Sequence, residues 1–201
     1  MTSKKVFIVG QDRVVTSMWY VKGFNIVSEQ NDADILCFIG GSDINPSYYN
    51  QRVNPDAKVH IHAASDTRDE NAWKAKKPRQ LAVGICRGGQ FINVMSGGKM
   101  LQHVDNHTTS HQVFDTLWNS TPVVASSHHQ LMVPGEGAEV LAYSEGRIKT
   151  AMNDKGQVQP PQFESEVLFY ESTNSLCYQG HPEWHPQSGT DYFFKLIDQV
   201  A

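Results

Sequence analysis

Short, largely apolar runs mark the first half of the chain, and each of them is bounded by polar residues or glycine. Runs of this kind, without a regular alternation of polar and apolar positions, are typical of strands that are buried on both faces of a sheet. The sequence predicts such strands at residues 6–9, 24–27, 33–39 and 81–85. The third strand ends in Gly40-Gly41, and the fourth leads directly into Cys86.

Helix-forming segments lie between and after these strands. The sequence predicts helices at residues 69–77, 90–95 and 191–200, the last one capped by Thr190 or Asp191. Further strands are predicted in the second half at 121–125, 139–143, 167–170 and 176–179, with a loop at 151–164. This order predicts an α/β fold of the flavodoxin-like type: an open, mostly parallel sheet, helices on both faces, and extra β-strands in the second half.

Composition and charge narrow the class of protein. A length of 201 residues, 39% of them hydrophobic, predicts a single domain spanning residues 1–201. The net charge is −4. Since no Lys/Arg-rich stripe is present, a nucleic-acid partner is disfavoured, and no apolar segment has the length of a membrane span. Cys37, Cys86 and Cys177 form no disulfide framework. We therefore expect a cytoplasmic protein without nucleic-acid or membrane partners.

Cys86 stands in the pattern of a nucleophile elbow, small-x-nucleophile-x-small, with Gly84 and Gly88 on either side. Strand and helix pack so closely at such a turn that larger side chains would clash, and the nucleophile is held in a strained backbone conformation. The helix N-terminus favours the thiolate, and the backbone N–H of Arg87 points to where an oxyanion would form. We predict that Cys86 is a reactive nucleophile, whereas Cys37 and Cys177 are structural thiols.

A thiolate nucleophile requires an oriented base, and His181-Pro182-Glu183 supplies both an imidazole and a carboxylate after the strand predicted at 176–179. Pro182 rigidifies the turn between the two side chains. A catalytic role for this segment is favoured because its strand can lie beside the strand that carries Cys86.

Five ordered motifs resemble the class I glutamine amidotransferase-like superfamily, and within it the chain is most similar to the γ-glutamyl hydrolases, including the γ-glutamyl-γ-aminobutyrate hydrolase branch. The motifs occupy residues 40–49, 66–69, 84–90, 126–130 and 179–183. One departure is Ala125, which stands where the family has Asn before the fourth motif.

The resemblance implies a role for each matching residue. Cys86 would be the nucleophile, His181 the base and acid, and Glu183 the residue that orients His181. The remaining implied site residues are the oxyanion-hole N–H groups of Gly41 and Arg87 and the substrate-binding residues Gln90, Ser127, His128 and His129.

No cofactor and no metal ion are expected. The nine histidines include pairs at 60/62, 128/129 and 181/185, but no Cys or carboxylate cluster completes a set at zinc-like spacing. Glu164 and Glu166 flank the strand predicted at 167–170 at alternating positions, which is more typical of a solvated face than of an acid pair.

Three functions follow from these patterns. The leading interpretation is a hydrolase that cleaves the γ-glutamyl amide of a small-molecule substrate through a glutamyl thioester. The alternative is a glutaminase subunit that delivers ammonia to a separate synthetase partner. A non-catalytic binding protein on the same fold is the third interpretation. The sequence does not indicate the oligomeric state.

Overall fold

The computed structural model describes residues 4–201 as a mixed α/β fold around one large sheet. Its α-helices are α1 (Arg13–Val21), α2 (Ala63–Ala75), α3 (Arg87–Met95) and α4 (Gln187–Val200). Its strands are β1 (Lys5–Val9), β2 (Asn25–Ile26), β3 (Ile35–Phe38), β4 (Leu81–Ile85), β5 (Lys99–Leu101), β6 (His103–Val104), β7 (His111–Gln112), β8 (Phe114–Asp115), β9 (Val123–Val124), β10 (Leu131–Val133), β11 (Ala138–Glu145), β12 (Ala151–Asn153), β13 (Gly156–Val158), β14 (Phe163–Tyr170) and β15 (Ser175–Tyr178).

The large sheet has a parallel part that positions the site. Strands β2, β1, β3, β4 and β15 lie side by side in that order, and every neighbouring pair among them is parallel. An antiparallel extension follows through β14, β10 and β5, and β11 and β8 branch from β14. The predicted open sheet with extra strands in the second half is therefore confirmed.

Helices cover both faces of the parallel strands, as predicted. Alternate residues of β4 separate to the two faces: Leu81, Val83 and Ile85 pack with α1 and α4, whereas Ala82 packs with α2 and α3. This division explains why the strand is apolar at every position, because side chains on both faces of the pleat are buried. No described residue is part of a helix with the length and apolar character that a membrane crossing needs.

Several predicted boundaries were wrong. Helix α2 begins at Ala63, well before the predicted residue 69, because the His62 side chain caps it by accepting a hydrogen bond from the Ser65 N–H. Helix α4 begins at Gln187, and Thr190 donates its hydroxyl to the Pro182 carbonyl instead of capping the helix. Helix α1 was not predicted.

The predicted loop at 151–164 was also wrong, because it contains the hairpin β12–β13 and the start of β14. Gly156, at φ 114°, follows the turn, and the Lys155 N–H donates to the Asn153 side chain across it. The sequence predicted a loop because a glycine and two prolines lie in this segment, and because strands of only three residues give a weak pattern.

Candidate active site

Cys86 occupies the turn between β4 and α3 at the carboxyl end of the parallel strands. Its backbone lies at φ 49° and ψ −112°, a strained region for a non-glycine residue. A Cβ at Gly84 would collide with the backbone of Gly88, and a Cβ at Gly88 would collide with the backbone of Phe38. The expected elbow geometry is therefore present, and the glycines are required by the close approach of helix and strands.

His181 lies beside Cys86 and is held from several sides. Its Nδ1 is 2.8 Å from Glu183 Oε1, and the Cys86 side chain lies close enough to the ring to raise its pKa. The Trp184 ring stacks on the imidazole with a centroid distance of 3.8 Å and an interplanar angle of 5°. A Cβ at Gly40 would lie 3.3 Å from His181 Cε1 and 3.8 Å from Cys86 Cβ, so glycine leaves the two side chains room to meet.

The environment of His181 favours its charged form. Burial by itself would lower the pKa of His181, but the interactions with Cys86 and Glu183 outweigh it and raise the pKa to about 10. Burial raises the pKa of Cys37 to about 12 and holds the pKa of Cys177 well above its usual value. Of the three thiols, Cys86 is the one that contacts an imidazole.

A pocket of about 470 Å³ opens in front of Cys86. It is lined by Gly41, Ser42, Asp43, His60, Cys86, Gln90, Ser127, His128, His129 and Gln130. The structure thus brings Gly41 and all four predicted substrate-binding residues to the nucleophile. Asp43 and His60 were missed as site residues, although Asp43 lies within the motif at 40–49.

The pocket side chains differ in how firmly they are engaged. His129 Nε2 lies 3.1 Å from both carboxylate oxygens of Asp43, which also accepts the backbone N–H of His60. The Gln90 amide has only long contacts of 3.4 Å to Gln130 O and to the Gln179 side chain, so it remains available to a ligand. Ser127 is exposed.

His128 is buried, and its Nδ1 lies 2.8 Å from Gln130 O. Burial lowers the pKa of His128 to about 3, which keeps this imidazole neutral. The neutral ring donates its Nδ1–H to the Gln130 carbonyl, and this hydrogen bond fixes the orientation of the ring.

The Arg87 side chain points away from the pocket and anchors the elbow from behind. It is 1% exposed and is paired with Asp66, at 2.5 Å, and with Asp69. This contact explains the motif at 66–69, because both carboxylates lie on α2 and fix that helix to the first residue of α3. The backbone N–H of Arg87 is at the start of α3, where no intrahelical acceptor exists.

A second buried group lies outside this pocket and corrects a prediction. Glu164 and Glu166 are 0% and 2% exposed, so they do not form a solvated face. Together with His107 and His111 they form what we call the His–Glu cluster. Sequence reasoning missed it because its two halves are far apart along the chain, on the segment before β8 and on β14.

The elbow, the His181–Glu183 pair and the sheet order define a class I glutamine amidotransferase-like protein. Within that class the chain belongs to the Peptidase C26 family, whose model matches residues 25–153. A relative from Lactococcus lactis, named as a putative glutamine amidotransferase-like protein, is 33% identical over 207 residues, covering 88% of this chain and 76% of the relative. A relative from Mycobacterium tuberculosis, named as a putative glutamine amidotransferase, is 28% identical over 181 residues; the match covers 83% of this chain but only 55% of the relative.

Solved structures share the fold at low identity. A protein from Thermoplasma acidophilum, described as one subunit of a putative GMP synthase, has a TM-score of 0.67 at 18% identity and covers 100% of this chain and 94% of its own. A glutamine amidotransferase from Thermotoga maritima has a TM-score of 0.60 at 12% identity, covering 100% of this chain and 85% of its own. A chain of PurLQS from Thermotoga maritima has a TM-score of 0.62 at 15% identity, with full coverage of both chains. These likenesses concern the fold alone.

Proposed function

We propose that the chain hydrolyses γ-glutamyl amide bonds, with Cys86 as nucleophile, His181 as base and acid, and Glu183 as the group that orients His181. The observation that carries the proposal is the continuous contact from the Glu183 carboxylate through His181 to the strained Cys86, beside a pocket lined by Gln90. Membership of the Peptidase C26 family supports the reaction class.

Acylation starts from the thiolate of Cys86 and the imidazolium of His181. The thiolate attacks the δ-carbonyl carbon of the γ-glutamyl group, and the negative charge moves to the carbonyl oxygen. The backbone N–H groups of Gly41 and Arg87 would hold this oxyanion, and one such donor is typically worth about 3 kcal/mol in the transition state. Nδ1 of His181 is occupied by Glu183, so Nε2 delivers its proton to the departing amine, and a glutamyl thioester remains on Cys86.

Deacylation uses the neutral imidazole that this step leaves behind. His181 takes a proton from water, the resulting hydroxide attacks the thioester carbonyl, and the C–S bond breaks to release glutamate. The proton on His181 and the thiolate of Cys86 are thereby restored. The contact with Glu183 stabilises the imidazolium each time it forms.

The direct test is Cys86→Ala, which removes the attacking sulfur. We expect glutamate release to fall at least about 10⁴-fold, with the circular-dichroism spectrum unchanged. Glutamine, γ-glutamyl amines and folate-like γ-glutamyl chains are the substrates to compare. The matched control is Cys37→Ala, which removes a buried thiol outside the pocket and should retain turnover. Unchanged hydrolysis by Cys86→Ala would refute the proposal.

The alternative role, a glutaminase subunit that feeds a synthetase, has support in the names of the relatives, which describe them as putative glutamine amidotransferases. Both roles share the same acylation chemistry. They differ in the isolated chain: a hydrolase turns over γ-glutamyl amines by itself, whereas a subunit gains glutaminase activity when its synthetase is added. A non-catalytic protein would show neither activity, nor one-to-one labelling of Cys86 by a glutamine-analogue electrophile.

A further inference from the structure

The His–Glu cluster presents several ligand atoms to one another in the interior of the protein. His107 Nδ1 lies 3.3 Å from Glu166 Oε1, and His111 Nε2 lies 2.8 Å from the same oxygen. One ligand atom from each of these three residues lies within 4.8 Å of the other two. Around a tetrahedral zinc ion with bonds of about 2.0–2.1 Å, ligand atoms are separated by about 3.3 Å, so small side-chain shifts would complete the geometry.

A metal ion would take the place of protons on the ring nitrogens that face the cluster. His107 is bonded through Nε2 to Glu164 Oε2 at 3.1 Å, and His111 is bonded through Nδ1 to Thr109 O at 3.0 Å. Those acceptors are a carboxylate and a carbonyl, so each of these two nitrogens carries a proton. His111 Nε2 also contacts an acceptor, Glu166 Oε1 at 2.8 Å, so metal binding would release a proton from that nitrogen and free its lone pair. Metal-bound histidines nearly always have such a partner on their second nitrogen.

Unpartnered polar atoms in the same place point to a missing ligand. His107 Nδ1 and Glu166 Oε2 are buried without a hydrogen-bond partner, and both residues are at most 2% exposed. The ring of His128 lies 4.8 Å from that of His107, and its Nε2 is also buried and unpartnered while its Nδ1 is bonded to Gln130 O. Buried polar groups are rarely left unsatisfied in folded proteins.

The charges of the cluster also suit a divalent cation. Among residues 4–201, neither Glu164 nor Glu166 forms an ion pair with a lysine or arginine, and their ion-pair partners are histidines. Two buried carboxylates need a compensating positive charge, which protonated histidines supply when no metal is bound. One divalent cation would supply the same charge in place of those protons.

We propose that His107, His111 and Glu166 bind one zinc ion, or a similar divalent transition metal, in a structural site next to the substrate pocket. His128 Nε2 is the candidate for the fourth ligand, and Glu164 orients His107 from outside. The burial of all these residues suits a closed structural site rather than one that activates water. This proposal departs from the expectation of no metal.

The ion would stiffen the wall of the pocket. The His107 carbonyl accepts hydrogen bonds from Ser126 Oγ at 2.6 Å and from the His128 N–H at 3.1 Å. Fixing His107 to β14 therefore also fixes the segment that carries Ser127, His128 and His129.

The test starts with the full chain produced in zinc-containing medium and measures metal content by mass spectrometry. We expect about one zinc per chain after gel filtration, and a melting temperature that falls by about 5–10 °C when a chelator removes the ion. Replacement by cobalt should give the visible absorption of a tetrahedral site without a thiolate charge-transfer band. His111→Gln should lose the metal and the chelator-sensitive part of the melting temperature.

Two controls separate this site from other ligands. Cys86→Ala tests for binding at the nucleophile, and His185→Gln tests for binding at an exposed histidine; both variants should keep one zinc per chain. A folded wild-type chain that contains no stoichiometric metal and does not change its melting temperature with zinc or cobalt would overturn the proposal, and the cluster would then be a proton-sharing network. Metal retained by a folded His111→Gln variant would overturn it as well. The wild-type measurement decides the question even if that variant does not fold.

Discussion

His181 is the residue on which the proposed chemistry depends most. It lies between a thiol and a carboxylate, is 8% exposed, and has one ring face covered by Trp184. Its pKa is raised to about 10, so the protonated form dominates at neutral pH and can protonate a leaving amine. Since the pKa is above that of the unfolded chain, the stabilisation by this proton is fully present below about pH 6.5 and is lost as the pH rises through about 10.

Glu183→Gln should test this coupling. Replacing the carboxylate removes one of the two contacts that raise the pKa of His181, so the alkaline limb of kcat/KM should move from near pH 10 to lower pH. The rate itself should fall about 10- to 100-fold, the worth of a charged hydrogen bond. The measurement is a pH profile of kcat/KM for the wild type and the variant.

Glu171→Gln is the matched control, because Glu171 is exposed and lies outside the site. It should leave the profile unchanged. An alkaline limb that stays in place in Glu183→Gln would contradict the role assigned to Glu183.

At the scale of elements, the site depends on how α2 and α3 are joined behind the elbow. Arg87, the first residue of α3, is buried against Asp66 and Asp69 of α2, and Asp66 also accepts the Asn45 N–H at 3.3 Å. The loop after β3, the helix α2 and the nucleophile turn are thus connected through one ion-pair network. Such a network is costly to break, because a charge would remain buried without its partner.

Arg87→Ala should therefore lower the free energy of unfolding by about 3–5 kcal/mol. The Arg79–Asp34 pair offers a surface comparison, since its side chains are 56% and 46% exposed at 3.5 Å, and Arg79→Ala should cost at most about 1 kcal/mol. Urea denaturation of both variants gives the two numbers. Equal costs would show that the buried ion pairs of Arg87 do not hold α2 and α3 together.

At the scale of the whole molecule, the two halves of the chain share one sheet. Strand β15 pairs with β4 on one side and with β14 on the other, so the strands of the second half continue the parallel part. The apolar side chains on the α1 and α4 face come from β1, β3, β4, β11, β14 and β15 together. We therefore propose that residues 4–201 fold as a single domain.

A single domain should unfold in one transition. Thermal unfolding followed by far-UV and near-UV circular dichroism should give coincident curves and equal calorimetric and van't Hoff enthalpies. Phe193→Ala, which removes a fully buried ring on the α1/α4 face, should shift both curves together and cost about 3–5 kcal/mol. Two separate transitions in the metal-saturated wild type would contradict a single domain.

Much of the fold could be predicted because its signals are local. The strand at 81–85 was predicted with its observed bounds, since both faces are buried and every residue is apolar or glycine. The elbow was predicted for a similar reason, because Gly84 and Gly88 are required by contacts that the turn itself creates. Helix α1 was missed because its adjacent β-branched residues at 14–16 lower helix propensity, while packing of Trp19 and Val15 stabilises it in the protein.

The sequence by itself determined the class of fold, the nucleophile turn and the candidate partners of Cys86, because each is encoded by neighbouring residues. Only the tertiary structure decided what lies beside what. It placed His181 against Cys86, gathered Gln90 and Ser127 into one pocket, and buried Glu164 and Glu166 against His107 and His111. Such contacts join residues that are far apart along the chain, and their energies depend on burial and distance, which no local pattern of residues contains.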